Sequence, residues 1–407
     1  METKRRVLYI SYDCILEPLT ASQVLPYLKG LARDNDIFLL AFNKRDVSEA
    51  RLFDIAARYG LKGAFGLRYH KTPTLPATCL DIVCGITKCA SIIKKYDISL
   101  VHARSYVACA IAFALKRLCG TPYIFDVRGL LADERVEGGD WKRSSLTYGI
   151  VKFFEVLMLR ESSKVILLSY RGVDALEAIE KGSRAKTTVI PTCVDTESFA
   201  SRPSSYMGDG PLRLIYIGSL GTWYMLPEML DFFKIAREIV GDVKFLILTW
   251  SDPAYVLKTA QDKGLGKDAI EVRRESHDRI PSYLAASDVS IFFIRPTFSK
   301  SVSCPTKFAE SLSAGLPVVT NSGIGDLDYF INRYSVGVVI TDLHEDGYRK
   351  AARDIVGMLK DRNGLSERCR SLALGEFSLE SGVERYEKVY ESIIPPHPAL
   401  SPFRGKG

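Results

Sequence analysis

Apolar positions in the first half of the chain alternate between two rhythms. Residues 6–11 (RVLYIS) form a short, nearly continuous apolar run, as a strand buried on both faces requires. Residues 22–33 follow with helical spacing, placing Val24, Leu25, Leu28 and Leu31 on one side. The alternation continues with strands predicted over 36–42, 99–104, 121–129 and 164–169, and a last one in TTVIP, ending at Pro191. Helices are predicted over 47–60, 80–96, 106–119 and 146–161, and from 170 to 181. Gly120 is placed to stop the 106–119 helix at its carboxyl end. After Pro191 the pattern loosens into TESFASRPSSYMGDGP, rich in Ser, Pro and Gly, which reads as a linker over 196–211.

The rhythm then restarts. Strands are predicted over 212–218, 243–250, 289–294 and 317–320, with further alternation through 271. Helices are predicted over 225–240, 280–286 and 306–314. Alternating strand and helix implies parallel sheets covered on both faces, so the fold class is α/β with two doubly wound domains. Such sheets bind ligands beyond the carboxyl ends of their strands. The segment 395–407 (PPHPALSPFRGKG) has no apolar face and is expected to be disordered, with the functional chain ending near Ile394.

Composition narrows the classes. A chain of 407 residues with 47% hydrophobic and 25% charged residues has room for two globular domains. No apolar run is expected to reach the roughly 18–20 residues of a membrane span, and the first residues do not resemble a secretory signal, so a cytoplasmic location is expected. Nine cysteines without a CxxC pair, most of them in apolar surroundings, predict reduced thiols rather than a disulfide or metal framework. The charge is uneven: residues 1–202 hold 30 Lys and Arg against 22 Asp and Glu, while the remainder is nearly balanced. A basic first half suits an anionic acceptor or surface. The stretch 69–79 with Lys88, Lys94 and Lys95 fits anionic lipid at the inner membrane face, and equally fits solvated lysines. The scattered basic residues and the lack of a binding motif argue against nucleic acid.

The segment 294–319, IRPTFSKSVSCPTKFAESLSAGLPVV, carries the most chemistry. A strand ends near Arg295, and a polar loop holding Lys300 leads to Pro305, which suits a helix start because it needs no N–H donor. The free N–H groups of a helix beginning at Thr306 would suit a diphosphate. Lys307, set against the helix dipole in the first turn, calls for a partner anion or is a solvated lysine. Glu310 follows three residues later, and its carboxylate can accept both hydroxyls of a ribose. In the first half, Asp126, Arg128, Asp133, Glu134 and Arg135 crowd the end of an apolar strand, where such sheets bind ligands. His102 ends another strand, as a site residue or as a satisfied core group. Between the first strand and the first helix, Thr20, Ser22 and Gln23 stand as ligand contacts or, for Thr20, as a helix cap. The remaining histidines, His70, His277, His344 and His397, have no partner spacing.

The arrangement PxK-xx-E-x4-G-x-PVV at 305–319 resembles the donor-binding motif of the retaining glycosyltransferases of family 4. VIPTCVDTESF, DISLVHAR and FSLESGVERYEKVY resemble three further family segments in the family's order, and YIGSLGTWY lies where family members carry a glycine-rich turn. The resemblance implies a GT-B fold, with two Rossmann-like domains facing a central cleft and a last helix crossing back to the first. The implied boundaries are an acceptor domain over 1–195, the linker, a nucleotide-sugar domain over 212–376 and a crossover helix over 377–394.

The activity implied is transfer of a sugar from a nucleoside-diphosphate sugar, UDP-linked, to a hydroxyl of a lipid-linked or polysaccharide acceptor, without metal or other cofactor. Donor contacts are expected from Gly218, Ser219, Arg295, Lys300, Thr306, Lys307 and Glu310. Catalysis falls to Arg128, Glu134 and His102, and acceptor contacts to Asp126, Asp133 and Gln23. Asp326-Leu327-Asp328 matches a metal-binding DxD only superficially, because it falls in the fold's glycine loop. One departure stands out: Val302 occupies the place of an acid that family members carry near the donor sugar. A binding-only subunit and a nucleotide-sugar 2-epimerase are the rival readings.

Overall fold

The computed structural model describes residues 4–72, 74–200, 210–266 and 268–395. Most of the 196–211 linker and nearly all of the 395–407 tail lie outside them. The first sheet contains β1 (Arg5–Ser11), β2 (Asn35–Asn43), β3 (Gly63–Arg68), β4 (Leu100–Arg104), β5 (Tyr123–Asp126), β6 (Lys164–Leu167) and β7 (Thr187–Val189). Their order is β3-β2-β1-β4-β5-β6-β7. The second contains β8 (Leu212–Ile217), β9 (Val243–Leu248), β10 (Ile270–Arg273), β11 (Val289–Phe292), β12 (Val318–Asn321) and β13 (Gly337–Ile340), ordered β10-β9-β8-β11-β12-β13. Neighbouring strands within each sheet pair in parallel. Each sheet is therefore doubly wound, as the apolar runs required.

The differences from expectation have local causes. The predicted 22–33 helix is two helices, Pro18–Gln23 and Leu25–Leu31, because Val24 leaves the helical region at φ −123°. β3 was not predicted; its residues GAFGLR are only partly buried at the sheet edge and carry no alternation. The helix expected over 80–96 begins six residues earlier, at Thr74. Contrary to the expectation that no run reaches spanning length, this helix of 23 residues is long and apolar enough to cross a membrane. It packs into the first domain instead, burying Cys89, Ile92 and Ile93, and its buried Asp81 accepts from the Tyr12 hydroxyl and pairs with His70. All nine cysteines are free thiols.

The last helix, Leu379–Ile393, returns to the first domain and buries Tyr386, Val389 and Tyr390 in the core beneath β1 and β4. The Tyr390 hydroxyl shares a hydrogen bond with His102 Nδ1 at 2.7 Å, and the Tyr386 hydroxyl donates to Asp126 at 3.2 Å. Glu387 on the same helix pairs with Arg5 of β1. Tyr390→Phe would leave a buried ring nitrogen without its partner. It is expected to cost about 1–3 kcal/mol, read as a lower midpoint in urea unfolding; an unchanged midpoint would remove this contact from the account.

Candidate functional site

The loops that leave the carboxyl ends of the strands in one domain meet those of the other. Segment 298–302, after β11, lies against the helices Leu131–Glu137 and Tyr170–Ile179 of the first domain. Ser299 N–H donates to the Glu137 carboxylate, and the Ser169 hydroxyl donates to the Ser301 carbonyl at 2.8 Å. The Thr192 hydroxyl donates to the Cys304 carbonyl, also at 2.8 Å. Val302 is fully buried among Leu130, Ala175 and Ile179. Gly172 makes room for it, since a Cβ there would lie 3.0 Å from a Val302 methyl. The position where an acid was expected is thus an apolar contact between domains.

The donor motif folds around the helix Thr306–Ser313. Pro305 opens it with no side-chain cap, which leaves its first N–H groups free of such a partner. Lys307 and Glu310 are both nearly buried, at 8% and 5% exposure. The Lys307 ammonium sits 3.7 Å from the centre of the Tyr224 ring and 4.4 Å from that of Tyr216, with Phe292 further off at 5.7 Å. Gly218 follows β8 at φ +134°, where a Cβ would meet the ammonium at 2.8 Å. The Tyr216 hydroxyl donates to the Ser219 carbonyl, which fixes the turn after β8. Burial pulls the Lys307 pKa down to about 7, against the attraction of Glu310. Glu310 accepts a hydrogen bond from His277 Nε2 at 2.9 Å, and this bond raises the histidine's pKa above its ordinary value despite burial.

Gly218, Ser219, Thr306, Lys307 and Glu310 are therefore brought together at one end of the second sheet. Arg295 lies exposed at the end of the loop entry, its backbone N–H bonded to Trp223. Lys300 lies over the Trp223 ring at 4.0 Å and pairs with Glu134 of the other domain at 2.8 Å. The two residues assigned to diphosphate neutralisation and catalysis thus neutralise each other across the cleft.

In the first domain, Asp126 has no exposure. Burial raises its pKa, but Arg128 at 3.6 Å, His102 and Arg104 outweigh it and hold the carboxyl at about 2. His102 is also buried, and burial keeps its imidazole pKa low. Asp133 turns away from the cleft to Tyr148, Lys152 and Arg143 on the helix Leu146–Glu161 and the turn before it. His102, Asp126 and Asp133 are scaffold partners in this arrangement, whereas Arg128 and Glu134 remain at its edge. Thr20 does not cap a helix start; its hydroxyl donates to the Cys14 carbonyl from inside the first helix. Gln23 is buried with neither amide atom hydrogen-bonded. Asp326 accepts the backbone N–H groups of Tyr170 and Arg171 at 2.6 and 3.0 Å, and Asp328 accepts from Gly323 and pairs with Arg171. The Asp326-Leu327-Asp328 triplet serves the domain contact.

The sequence reading missed the aromatic enclosure of Lys307 and the partnership of His277 with Glu310. The aromatic content of YIGSLGTWY was the available signal for the first; nothing in the spacing pointed to the second.

Two family profiles cover these two halves. Glycosyltransferase Family 4 matches residues 27–198, and Glycosyl transferases group 1 matches residues 211–361. The chain is a glycosyltransferase of the GT-B type. Solved structures agree on the fold. A glycosyltransferase from Rickettsia africae ESF-5 is 14% identical with a TM-score of 0.70, over 96% of this chain and 99% of that one. A sucrose-phosphate synthase from Thermosynechococcus elongatus is 14% identical with a TM-score of 0.71, over 96% and 99%. Anabaena HepE in complex with UDP and glucose is 12% identical with a TM-score of 0.70, over 95% and 100%. No curated protein matches this GT-B enzyme significantly by sequence.

Its buried lysine gives a pH signature. The folded pKa of Lys307, about 7, lies below the 10.5 of a free lysine, so the unfolded chain binds more protons between those values. Stability associated with this group therefore rises with pH through that window, and its burial penalty is complete below about pH 7. Compared with Lys307→Met, the wild-type protein should show an added slope of up to ~1.4 kcal/mol per pH unit above neutrality. Parallel unfolding-free-energy curves for the two proteins would refute the assignment.

Proposed function

We propose that this glycosyltransferase moves a sugar from a UDP-sugar to a hydroxyl of a lipid-linked or polysaccharide acceptor, with retention, in cell-surface glycan synthesis at the cytoplasmic face of a membrane. The observation that carries the donor assignment is the start of the Thr306–Ser313 helix, with Lys307 enclosed beside it and Glu310 one turn on. Free N–H groups and an ammonium in a dry site stabilise charge that develops on a departing diphosphate. A diphosphate arriving beside Lys307 favours its charged form, so binding draws a proton in. Glu310 offers its carboxylate to the ribose diol. HepE, a relative in fold, is described with UDP, UDP-glucose, and UDP together with glucose, and this supports a uridine donor. Same-face attack by the acceptor needs no enzyme nucleophile, and retention follows from that geometry. The reaction needs no metal in this reading. Val302 favours the binding-only alternative, because it puts a methyl-lined contact where an acid would meet the sugar.

The membrane contact draws on surface chemistry. Helices Thr74–Tyr96 and Leu146–Glu161 flank the Ser105–Cys119 helix in the outer layer of the first domain. Leu75, Leu80 and Val83 on the first, and Leu146, Ile150, Phe153 and Phe154 on the second, are exposed. All seven fall in the part of each helix that leaves the carboxyl edge of the sheet, so they stand at the cleft end of the layer. Lys88, Lys142 and Arg143 are exposed on the same elements or beside them. A bilayer seated there would present a lipid-linked acceptor at the mouth of the cleft.

Two measurements follow from these assignments. Glu310→Ala should weaken UDP binding about 10- to 100-fold in calorimetry, the worth of one or two charge-assisted hydrogen bonds; undiminished affinity would remove Glu310 from the site, and donor turnover with a lipid acceptor separates transferase from binder. The protein should sediment with phosphatidylglycerol vesicles at low salt and release at high salt. Replacing Phe153 and Phe154 together by Ser should lower that partitioning at least about tenfold, and a failure of the wild-type protein to bind at low salt would sink the membrane contact.

A further inference from the structure

The Glu310 carboxylate is held by one of its two oxygens. His277 Nε2 donates to Oε1 at 2.9 Å. Oε2 accepts no hydrogen bond among the described residues, and it is not sealed from solvent, although Glu310 as a whole is nearly buried. The last torsion of a glutamate is broad and roughly two-fold, so a carboxylate without partners samples many planes. A hydrogen bond at one oxygen selects one plane, and with it the direction in which the other oxygen accepts.

The imidazole that makes this selection is itself held in place. His277 opens the turn His277–Arg279 after β10, and the helix Ile280–Ala285 that follows buries Ile280, Leu284 and Ala285. The Phe199 ring meets the imidazole edge-on, with centroids 6.4 Å apart. Phe199 is buried in the turn Glu197–Phe199, which packs against both the Ile280–Ala285 and the Thr306–Ser313 helices. Nearby charges are engaged elsewhere or lie open to water. Glu275 accepts from the Tyr283 hydroxyl and pairs with Arg279 at 3.5 Å, and Asp278 is exposed. The His277 side chain is half exposed, so its burial contributes little to the fold, whereas its Nε2 reaches inward to Glu310. Nε2 carries a hydrogen in the imidazolium and in one neutral tautomer, so the bond persists as the ring titrates.

We propose that His277 is a positioning residue for the donor's ribose: it fixes the Glu310 carboxylate so that the site takes a ribonucleotide in preference to its 2′-deoxy form. The assignment rests on the donor reading above, in which Glu310 accepts both ribose hydroxyls. Each carboxylate oxygen can accept more than one hydrogen bond, so Oε1 keeps His277 and takes one hydroxyl while Oε2 takes the other. Hydroxyls on adjacent carbons reach one carboxylate together only when its plane is set. A single hydroxyl tolerates a carboxylate that turns. Loss of the His277 hydrogen bond therefore weakens the bond to the second hydroxyl, through Glu310 and without contact between His277 and the donor.

UDP and 2′-deoxy-UDP are titrated by calorimetry into the full-length protein, its Glu310→Ala variant and two variants at His277. His277→Phe keeps a ring against Phe199 and removes the N–H; His277→Gln keeps an N–H and removes the ring. The wild-type protein is expected to prefer UDP at least about tenfold, the worth of one charge-assisted hydrogen bond. In His277→Phe the preference should fall to within about threefold, while affinity for 2′-deoxy-UDP stays within about twofold of wild type. His277→Gln should keep most of the preference, and His277→Ala gives the same readout if His277→Phe does not fold. A preference that survives His277→Phe but not Glu310→Ala overturns the positioning role and leaves the donor reading standing. So does an equal loss of affinity for both nucleotides in His277→Phe, which marks a turn that serves the fold alone. A wild-type protein that binds the two nucleotides alike, or a preference that survives Glu310→Ala, counts against the donor reading itself and removes this role with it.

Discussion

Asp126 carries a negative charge with no exposure, and the groups that face it tie the last helix to the first domain. A lone carboxylate in so dry a place would be strongly disfavoured. Arg128, His102 and the Tyr386 hydroxyl meet it, and Tyr386 comes from the far end of the chain. The last helix is therefore part of the first domain's core, not an appendage to the second. The chain crosses between domains twice, and the two crossings run side by side. Val194 N–H donates to the Phe377 carbonyl, and Leu379 N–H donates to the Val194 carbonyl. This paired crossing is where any hinge between the domains must bend, because it is the covalent connection on both sides.

Opposite the hinge, the contact between domains is built from groups that elsewhere in such a site would face substrate. Lys300 neutralises Glu134, Asp326 accepts the first N–H groups of the Tyr170–Ile179 helix, and Val302 fills an apolar socket. Opening the cleft would expose Val302 and leave Lys300 and Glu134 unpaired in one movement. Closure and the electrostatics of the cleft are thus coupled: the cation and the acid become available to ligands only as the domains part.

Much of the site was legible before the fold. Pro305, Lys307 and Glu310 announced a helix start with a lysine in its first turn and an acid one turn on, because those relations are fixed by spacing along one helix. The enclosure of Lys307 was not legible. Tyr216 lies near the end of β8, Tyr224 follows its loop and Phe292 ends β11, so only the pairing of strands sets their rings around one ammonium. His277 reaches Glu310 from a segment 33 residues earlier for the same reason. The acidic cluster after β5 looked uniform in sequence. The fold divides it, turning Asp133 into the helical layer, holding Asp126 under the last helix and leaving Glu134 at the cleft.

By itself the sequence determined the alternation of strands and helices, the two-domain α/β architecture and the Thr306–Ser313 helix with its lysine and acid. Those features follow from local periodicity and backbone hydrogen bonding, which act over a few residues. Tertiary structure alone decided which charges are spent on holding the chain together and which remain for chemistry. Burial and pairing set that division, and both depend on neighbours that the chain brings from hundreds of residues away.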